Sequence, residues 1–258
     1  MCLFNFSRLA RQWRIRRAPR VATIATMPTR AQTFALVVKR ILPQVDMLFV
    51  YLDGFNEAPE VLRGSRKVTI ARSQDYGALH ASGRFLVLPT LKTPSVVAVV
   101  DDDIKYPRNY VSRLARRLAA FDGRAVVGVH GGIFRPPYLS SVTDAERFHF
   151  RAALERDTLV DELGAGACAF LSDVLDFDVR EWDGYDGGDL RVAMEAKNRG
   201  LPLICVARRR KWLRPYEENQ PDSLWLKTKA DPSARSALMR EHMREAVVRY
   251  EAQAAGAP

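Results

Sequence analysis

Residues 95–100, SVVAVV, are six small or β-branched residues that run without a break into Asp101, Asp102 and Asp103. A strand apolar along its whole length must be covered on both faces, as strands are inside a mostly parallel α/β sheet. The chain supplies the other parts of such a sheet in order. RVATIATMP reads as a strand ended by Pro28, and a helix follows over about 29–42, with Phe34, Val37, Val38 and Ile41 at helical spacing. DMLFVYLDG gives a second strand that stops at the turn pair Asp53-Gly54, and RKVTIAR gives a third. A helix over about 78–91 is expected before SVVAVV. Beyond Pro107 come a helix over about 108–121, a short strand in AVVGVHG, and an irregular section holding GGIFRPPY and ELGAGACAFLS. A helix from about Asp186 to Arg199, a strand PLICVA and a charged helix over about 233–254 complete the chain. The expectation is one α/β domain over 20–215, with a basic lead-in (1–19) and a helical extension (216–258).

Sheets of this class hold ligands beyond the carboxyl ends of their strands. Thr26-Met27-Pro28, Asp53-Gly54 and the triple aspartate are all strand-end features, so they should meet in one crevice. Adjacent carboxylates repel, and burying them unpaired costs several kcal/mol. A divalent cation, Mn2+ or Mg2+, removes the conflict: both take hard oxygen ligands, often one or two carboxylates plus substrate phosphates. If the chain stays extended, alternation places Asp101 and Asp103 on one face and Asp102 on the other, an Asp-x-Asp pattern.

The 258 residues carry 40 Lys and Arg against 30 Asp and Glu, a formal charge of +10 that favours anionic partners. One basic cluster is Arg8, Arg11, Arg14, Arg16, Arg17 and Arg20, and the other is ARRRKWLRP, 207–215. Neither is interleaved with aromatics in a nucleic-acid-binding motif, so no nucleic acid is expected as partner. The lead-in reads as a partly amphipathic helix from about Phe4 to Arg16, with Leu3, Phe4, Phe6, Leu9 and Trp13 as its apolar members. Such a helix suits an anionic membrane surface. No run approaches the ~18 apolar residues of a spanning helix. Three scattered cysteines, Cys2, Cys168 and Cys205, fit neither a disulfide framework nor a zinc site. A cytoplasmic location is expected, with peripheral contact at the inner face of the membrane left open by the lead-in.

Six stretches in order, VATIATMPTR, VYLDG, YGALHASGRF, VVDDDIKYP, ELGAGACAFLS and DGGDLRVAMEAKNRGLP, resemble the GT-A fold glycosyltransferases. The nearest likeness is to the inverting family 2 enzymes of bacterial polysaccharide synthesis. The resemblance implies a Rossmann-like sheet with helices on both faces, a nucleotide-sugar donor and a glycan or lipid-linked acceptor. It implies that Thr26, Pro28 and Arg30 line the base and ribose, and that Asp53 binds the base or ribose. Gly77 and Gly83 would bracket a segment whose backbone approaches the nucleotide, with Arg84 beside a phosphate or sugar. Asp101 would hold the ribose or sugar and share the metal with Asp103, and Asp102 would belong to the donor site without a defined role. The general base would be Asp189, with Asp186 as competitor. Many members carry a metal-binding histidine after the last strand, where this chain has ARRRKWL. Arg208, Arg209, Arg210 or Lys211 would then neutralise diphosphate directly, and Trp212 would either stack on an acceptor sugar or belong to the core. His130 would either border the acceptor or be structural. Two competing readings are a sugar-phosphate nucleotidyltransferase, which would want a glycine-rich loop after the first strand, and a basic nucleic-acid-binding module.

Overall fold

A computed structural model describes residues 3–184, 187–217 and 224–254. In chain order its elements are α1 (Leu3–Arg17), β1 (Arg20–Thr26), α2 (Ala31–Ile41), β2 (Met47–Leu52), β3 (Val68–Arg72), α3 (Ser73–Tyr76) and β4 (Val96–Val100). There follow β5 (Ile104–Lys105), α4 (Tyr110–Ala120), β6 (Val126–Gly128), β7 (Gly131–Phe134), β8 (Ala145–Phe148), β9 (Thr158–Val160) and β10 (Glu162–Leu163). Then come β11 (Ala167–Leu171), α5 (Gly188–Asn198), β12 (Leu203–Cys205), β13 (Arg214–Pro215), α6 (Leu224–Ala230), α7 (Ser233–His242) and α8 (Arg244–Ala254).

Eight strands form the central sheet in the order β3-β2-β1-β4-β11-β6-β12-β9. Its first four strands are parallel, and β11 enters antiparallel between β4 and β6, pairing Ala167 with Val100. All five residues of β4 are fully buried, as an unbroken apolar run requires. One core layer holds α2 and α4 against the sheet through Phe34, Val38, Leu114 and Leu118; the other packs Tyr51, Phe85, Val97 and Phe170 on the opposite face. Burying side chains of this size contributes about 1.5–3 kcal/mol each.

The segment expected as a helix over 78–91 is instead a 3-10 run, His80–Thr90. Two features oppose an ordinary α-helix there. Gly83 lies so close to Tyr51 that a Cβ would stand 2.4 Å from the ring, and Pro89 has no N–H to give. The expected final helix is broken near Met243 into α7 and α8. Its apolar stripe meets this chain's own core, with Met239 and Val247 against Phe134, Tyr138 and Leu190, and Leu238, Met243 and Tyr250 at the margin. Helix α1 lies along α4 and is anchored by Ile15, which packs at Leu171 and Gly123. Among the described residues no helix is long and apolar enough to cross a membrane.

Candidate active site

Strand β4 ends at Val100, and Asp101, Asp102 and Asp103 lie in the turn between it and β5. The extended geometry that would alternate the three side chains is therefore absent, and the charges of Asp101 and Asp102 both bear on Asp103. The Asp101 N–H donates to the Tyr106 hydroxyl (2.8 Å), which in turn donates to the Gly166 carbonyl (2.5 Å). Arg84, buried in the 3-10 run, donates from Nη1 to Asp101 Oδ1 (2.8 Å) and to the Val100 carbonyl (3.2 Å), while its Nε donates to Ala81 O (2.6 Å). Arg30 Nη1 reaches Asp103 Oδ2 at 3.3 Å.

Two cations against three carboxylates leave an excess of negative charge. Burial first, and then the charge of Asp101, push Asp102 up to about 6, although Thr26, Arg30 and Arg84 pull the other way. Asp103 is pushed up to about 7 by burial and by its two aspartate neighbours, with Arg30 opposing. The Thr26 hydroxyl lies close enough to Asp102 to lower its pKa, yet its buried Oγ1 makes no hydrogen bond of normal geometry. Behind the turn, β13 pairs with β5, and the Tyr216 N–H donates to Asp103 O (2.7 Å). The chain leaving the second basic cluster therefore runs beside the aspartates.

The rim is built from the ends of β1 and β2. The Asp53 N–H donates to Thr26 O (2.9 Å), and Asp53 Oδ2 meets His80 Nδ1 at 3.1 Å. Pro28 and Arg30 form a 3-10 turn directly after β1, and Pro28 Cδ lies 4.0 Å from where a Cβ on Gly54 would stand. Gly77 takes φ +80, a conformation that favours glycine. Its carbonyl accepts from the Tyr51 hydroxyl, which also accepts from the Leu79 N–H (3.1 Å). Tyr51 thus ties down the segment that carries His80. Sequence reasoning gave His80 no role, although it stands inside the quoted YGALHASGRF stretch.

The other wall comes from the loop 164–166 and the start of α5. Gly187, in the left-handed region at φ +71, caps the helix without a side-chain bond. Asp189 is in the first turn, where helix polarity favours an anion, and its Oδ1 accepts from the Ala165 N–H at 2.7 Å. The next residue is Gly166, where a Cβ would fall 1.8 Å from Asp101 Cγ. Two consecutive residues therefore touch Asp101 and Asp189, and the buried Cys168 feels the charge of both. Asp186 lies outside the described residues.

Around Asp189 the structure adds charges that sequence reasoning missed. Glu162 is buried between Arg147 and Arg235, the latter at 2.5 Å from helix α7; burial lowers the pKa of both arginines, Arg147 to about 10, with the charge of Asp189 opposing. His130 stacks edge-on against His149 (5.2 Å between centroids), and its ring lies against Gly164. Burial and nearby cations push His130 down to about 3, so it is neutral. The charge periodicity of an isolated sequence carries no sign of such long-range pairs.

The basic cluster divides in two. Arg208 is buried and donates to the carbonyls of Val206, Phe148 and His149 at 2.9–3.1 Å, so it braces the backbone and does not face a ligand. Arg209, Arg210 and Lys211 are exposed. Trp212 is 6% exposed, packed against Tyr110 and under the Arg113 guanidinium (4.5 Å). The acceptor-stacking expectation for Trp212 is therefore corrected: its ring is already covered and belongs to the core.

No group of three metal-ligating side chains is assembled among the described residues. The donor set still suits a hard divalent cation shared with a diphosphate: neighbouring carboxylates whose negative charge exceeds that of the two arginines beside them.

No protein-family model matches the sequence, and no curated protein sequence matches it. Solved structures do. Glucosyl-3-phosphoglycerate synthase from Mycobacterium tuberculosis in complex with uridine diphosphate aligns with 92% of this chain and 83% of that chain, with a TM-score of 0.52 at 13% identity. The same enzyme with Mn2+, UDP-glucose and phosphoglyceric acid aligns at a TM-score of 0.40 and 14% identity, over 65% of this chain; the match spans 61% of that chain's length. A further mycobacterial protein aligns over 97% of this chain and 79% of that chain, with a TM-score of 0.48 at 16% identity. The fold is that of the GT-A-like α/β proteins, a single domain around a mixed, largely parallel sheet.

Proposed function

We propose that this protein is a metal-dependent glycosyltransferase. It would move a sugar from a nucleoside-diphosphate donor to a hydroxyl of a glycan or lipid-linked acceptor, in the synthesis of a surface polysaccharide. The observation that carries the reading is the gathering of Asp101, Asp102 and Asp103 with Arg30 and Arg84 at the carboxyl end of β4, beside Thr26 and Asp53. The synthase that shares this fold was solved with uridine diphosphate, which supports a nucleotide in the crevice. Inversion at the anomeric carbon and the polysaccharide setting rest on the likeness of the sequence motifs.

The roles follow from chemistry. Thr26, Pro28 and Asp53 form the rim for base and ribose, with the backbone near Gly77 closing it. Asp103 and Asp101 would hold the cation beside the donor's diphosphate. When bound, the cation supplies Lewis-acid stabilisation for charge on the departing diphosphate. Arg84 fixes Asp101 by its 2.8 Å bond, and Arg30 and the exposed Arg210 and Lys211 add positive charge on the donor side. Asp189 takes the proton of the acceptor hydroxyl as it attacks, and the Ala165 N–H holds that carboxylate in place. A nucleotidyltransferase would need a glycine-rich phosphate loop after β1, where the structure has the turn Pro28–Arg30.

The test is a thermal-shift comparison with UDP-, GDP- and dTDP-sugars, each with and without Mn2+. One nucleotide should raise Tm only with metal, and Asp103→Ala should abolish the rise. Absence of any nucleotide response in the wild-type protein refutes the proposal.

A further inference from the structure

Among its described side chains, those of residues 9–17, helix α1 turns one face to the body of the protein. Ile15 is 1% exposed, while Leu9 and Trp13 are 59% and 57% exposed. At about 100° per residue, Leu9 and Trp13 point away from Ile15, on the side turned from the body. Polar ties fix the helix in this attitude: Gln12 Nε2 donates to Asp122 Oδ1 (3.4 Å), and Arg14 pairs with Asp173 (3.2 Å). Around the two exposed apolar residues the helix carries only positive charge. Arg16 and Arg17 are exposed, the Arg17 guanidinium lies 4.2 Å over the Trp13 ring, and residues 1–20 hold six arginines and no acid. Helix α4, on which α1 rests, adds the exposed Arg116, and Arg113 lies close enough to Arg116 and Arg209 to feel their repulsion.

We infer that the outward face of α1 is a docking surface for an anionic lipid bilayer, with Trp13 and Leu9 entering the headgroup region and the flanking arginines meeting lipid phosphates. Charge alone would equally suit a nucleic acid. The choice rests on the apolar pair: an indole and a leucine side by side on a solvent-facing helix gain by leaving water at a bilayer surface, and a phosphodiester backbone offers them nothing comparable. The guanidinium on the indole keeps the aromatic and a charge at one depth, which is how amphipathic side chains sit at an interface. This inference does not depend on the transferase reading, since the surface involves none of the residues placed in the crevice.

The experiment is co-sedimentation of the full chain with vesicles of phosphatidylcholine alone and with 30% phosphatidylglycerol, at low and high salt. The expected result is binding to the anionic vesicles only, weakened by salt. Leu9→Glu/Trp13→Glu and Arg16→Glu/Arg17→Glu should each lower the partition coefficient at least tenfold, because each juxtamembrane basic residue is worth about fivefold. Both pairs are exposed, so an unchanged Tm confirms that the variants fold. The inference is overturned if the Leu9/Trp13 variant binds as well as wild type, if neutral and anionic vesicles bind alike, or if a 20-nucleotide RNA or DNA displaces bound vesicles.

Discussion

Asp102 provides the sharpest test of the electrostatic account, because its charge opposes folding. Burial and Asp101 raise its pKa from 3.8 to about 6. At about 1.4 kcal/mol per unit, the ionised carboxylate costs the folded state at most about 3 kcal/mol. Screening by solvent and protein polarisation reduces this to about 1–2 kcal/mol. The folded pKa lies above the unfolded one, so the favourable contribution is fully present below about pH 4 and is lost as pH rises through about 6. Above pH 7 the metal-free protein bears the whole penalty. Asp102→Asn removes it, so the variant should be more stable than wild type at pH 8 by about 1–2 kcal/mol, or roughly 3–6 °C in Tm for a chain of this size. At pH 4.5 the difference should shrink towards zero, since the wild-type carboxyl is then protonated. Scanning calorimetry in chelator across pH 4.5–8 measures both ends. An equal gain at the two pH values, or a loss at pH 8, would refute the reasoning. The same substitution should weaken nucleotide-sugar binding, the usual exchange of stability against a strained functional group.

Gly166→Ala puts a methyl inside the Asp101 carboxylate, at 1.8 Å from Cγ. It should cost about 1–3 kcal/mol of stability and at least a hundredfold in transfer, read by Tm and turnover together. Asp189→Asn should lower kcat by about 10²–10⁴ while leaving the metal-dependent nucleotide shift in Tm intact; loss of that shift would move Asp189 to the donor side. Arg208→Met removes a buried guanidinium from three carbonyls and should cost about 3 kcal/mol in urea unfolding, with the nucleotide response of the surviving folded fraction unchanged.

Periodicity and strand-end punctuation made much of this legible in advance. The apolar runs at β1, β2 and β4 read as buried strands, and chain order put Thr26, Asp53 and the aspartates at one end of them. The local geometry of the aspartates was not legible, because whether a strand continues for three more residues depends on a hydrogen bond from Tyr106 to a loop sixty residues away. The 3-10 run His80–Thr90 was missed for a like reason: its cause is the ring of Tyr51 against Gly83, a contact across sequence. Trp212 looked equally suited to a sugar and to a core, and only the positions of Tyr110 and Arg113 decide it. The pairing of Arg147 and Arg235 with Glu162 joins residues up to seventy-three positions apart, and nothing local announces it.

The small-residue stretch ELGAGACAF acquires a physical reason once β11 is seen beside β4. Antiparallel pairing brings Ala167 opposite Val100, so the residue before Ala167 must pass against the side chain after Val100, which is Asp101. No side chain fits there, hence glycine at 166. The Gly166 carbonyl is then free to accept from Tyr106, whose fully buried hydroxyl also accepts from the Asp101 N–H. Burial and the nearby Asp101 charge push that hydroxyl's pKa up, so it stays a neutral donor over the working pH range. Asp101 is thus held by a tyrosine, a glycine and Arg84 within the protein itself, which is the preorganisation the proposed transfer would require. One residue earlier, the Ala165 N–H fixes Asp189 in the same way. A shift of the loop by a single residue would release both carboxylates together, so in the proposed mechanism donor-side and acceptor-side geometry would stand or fall as one.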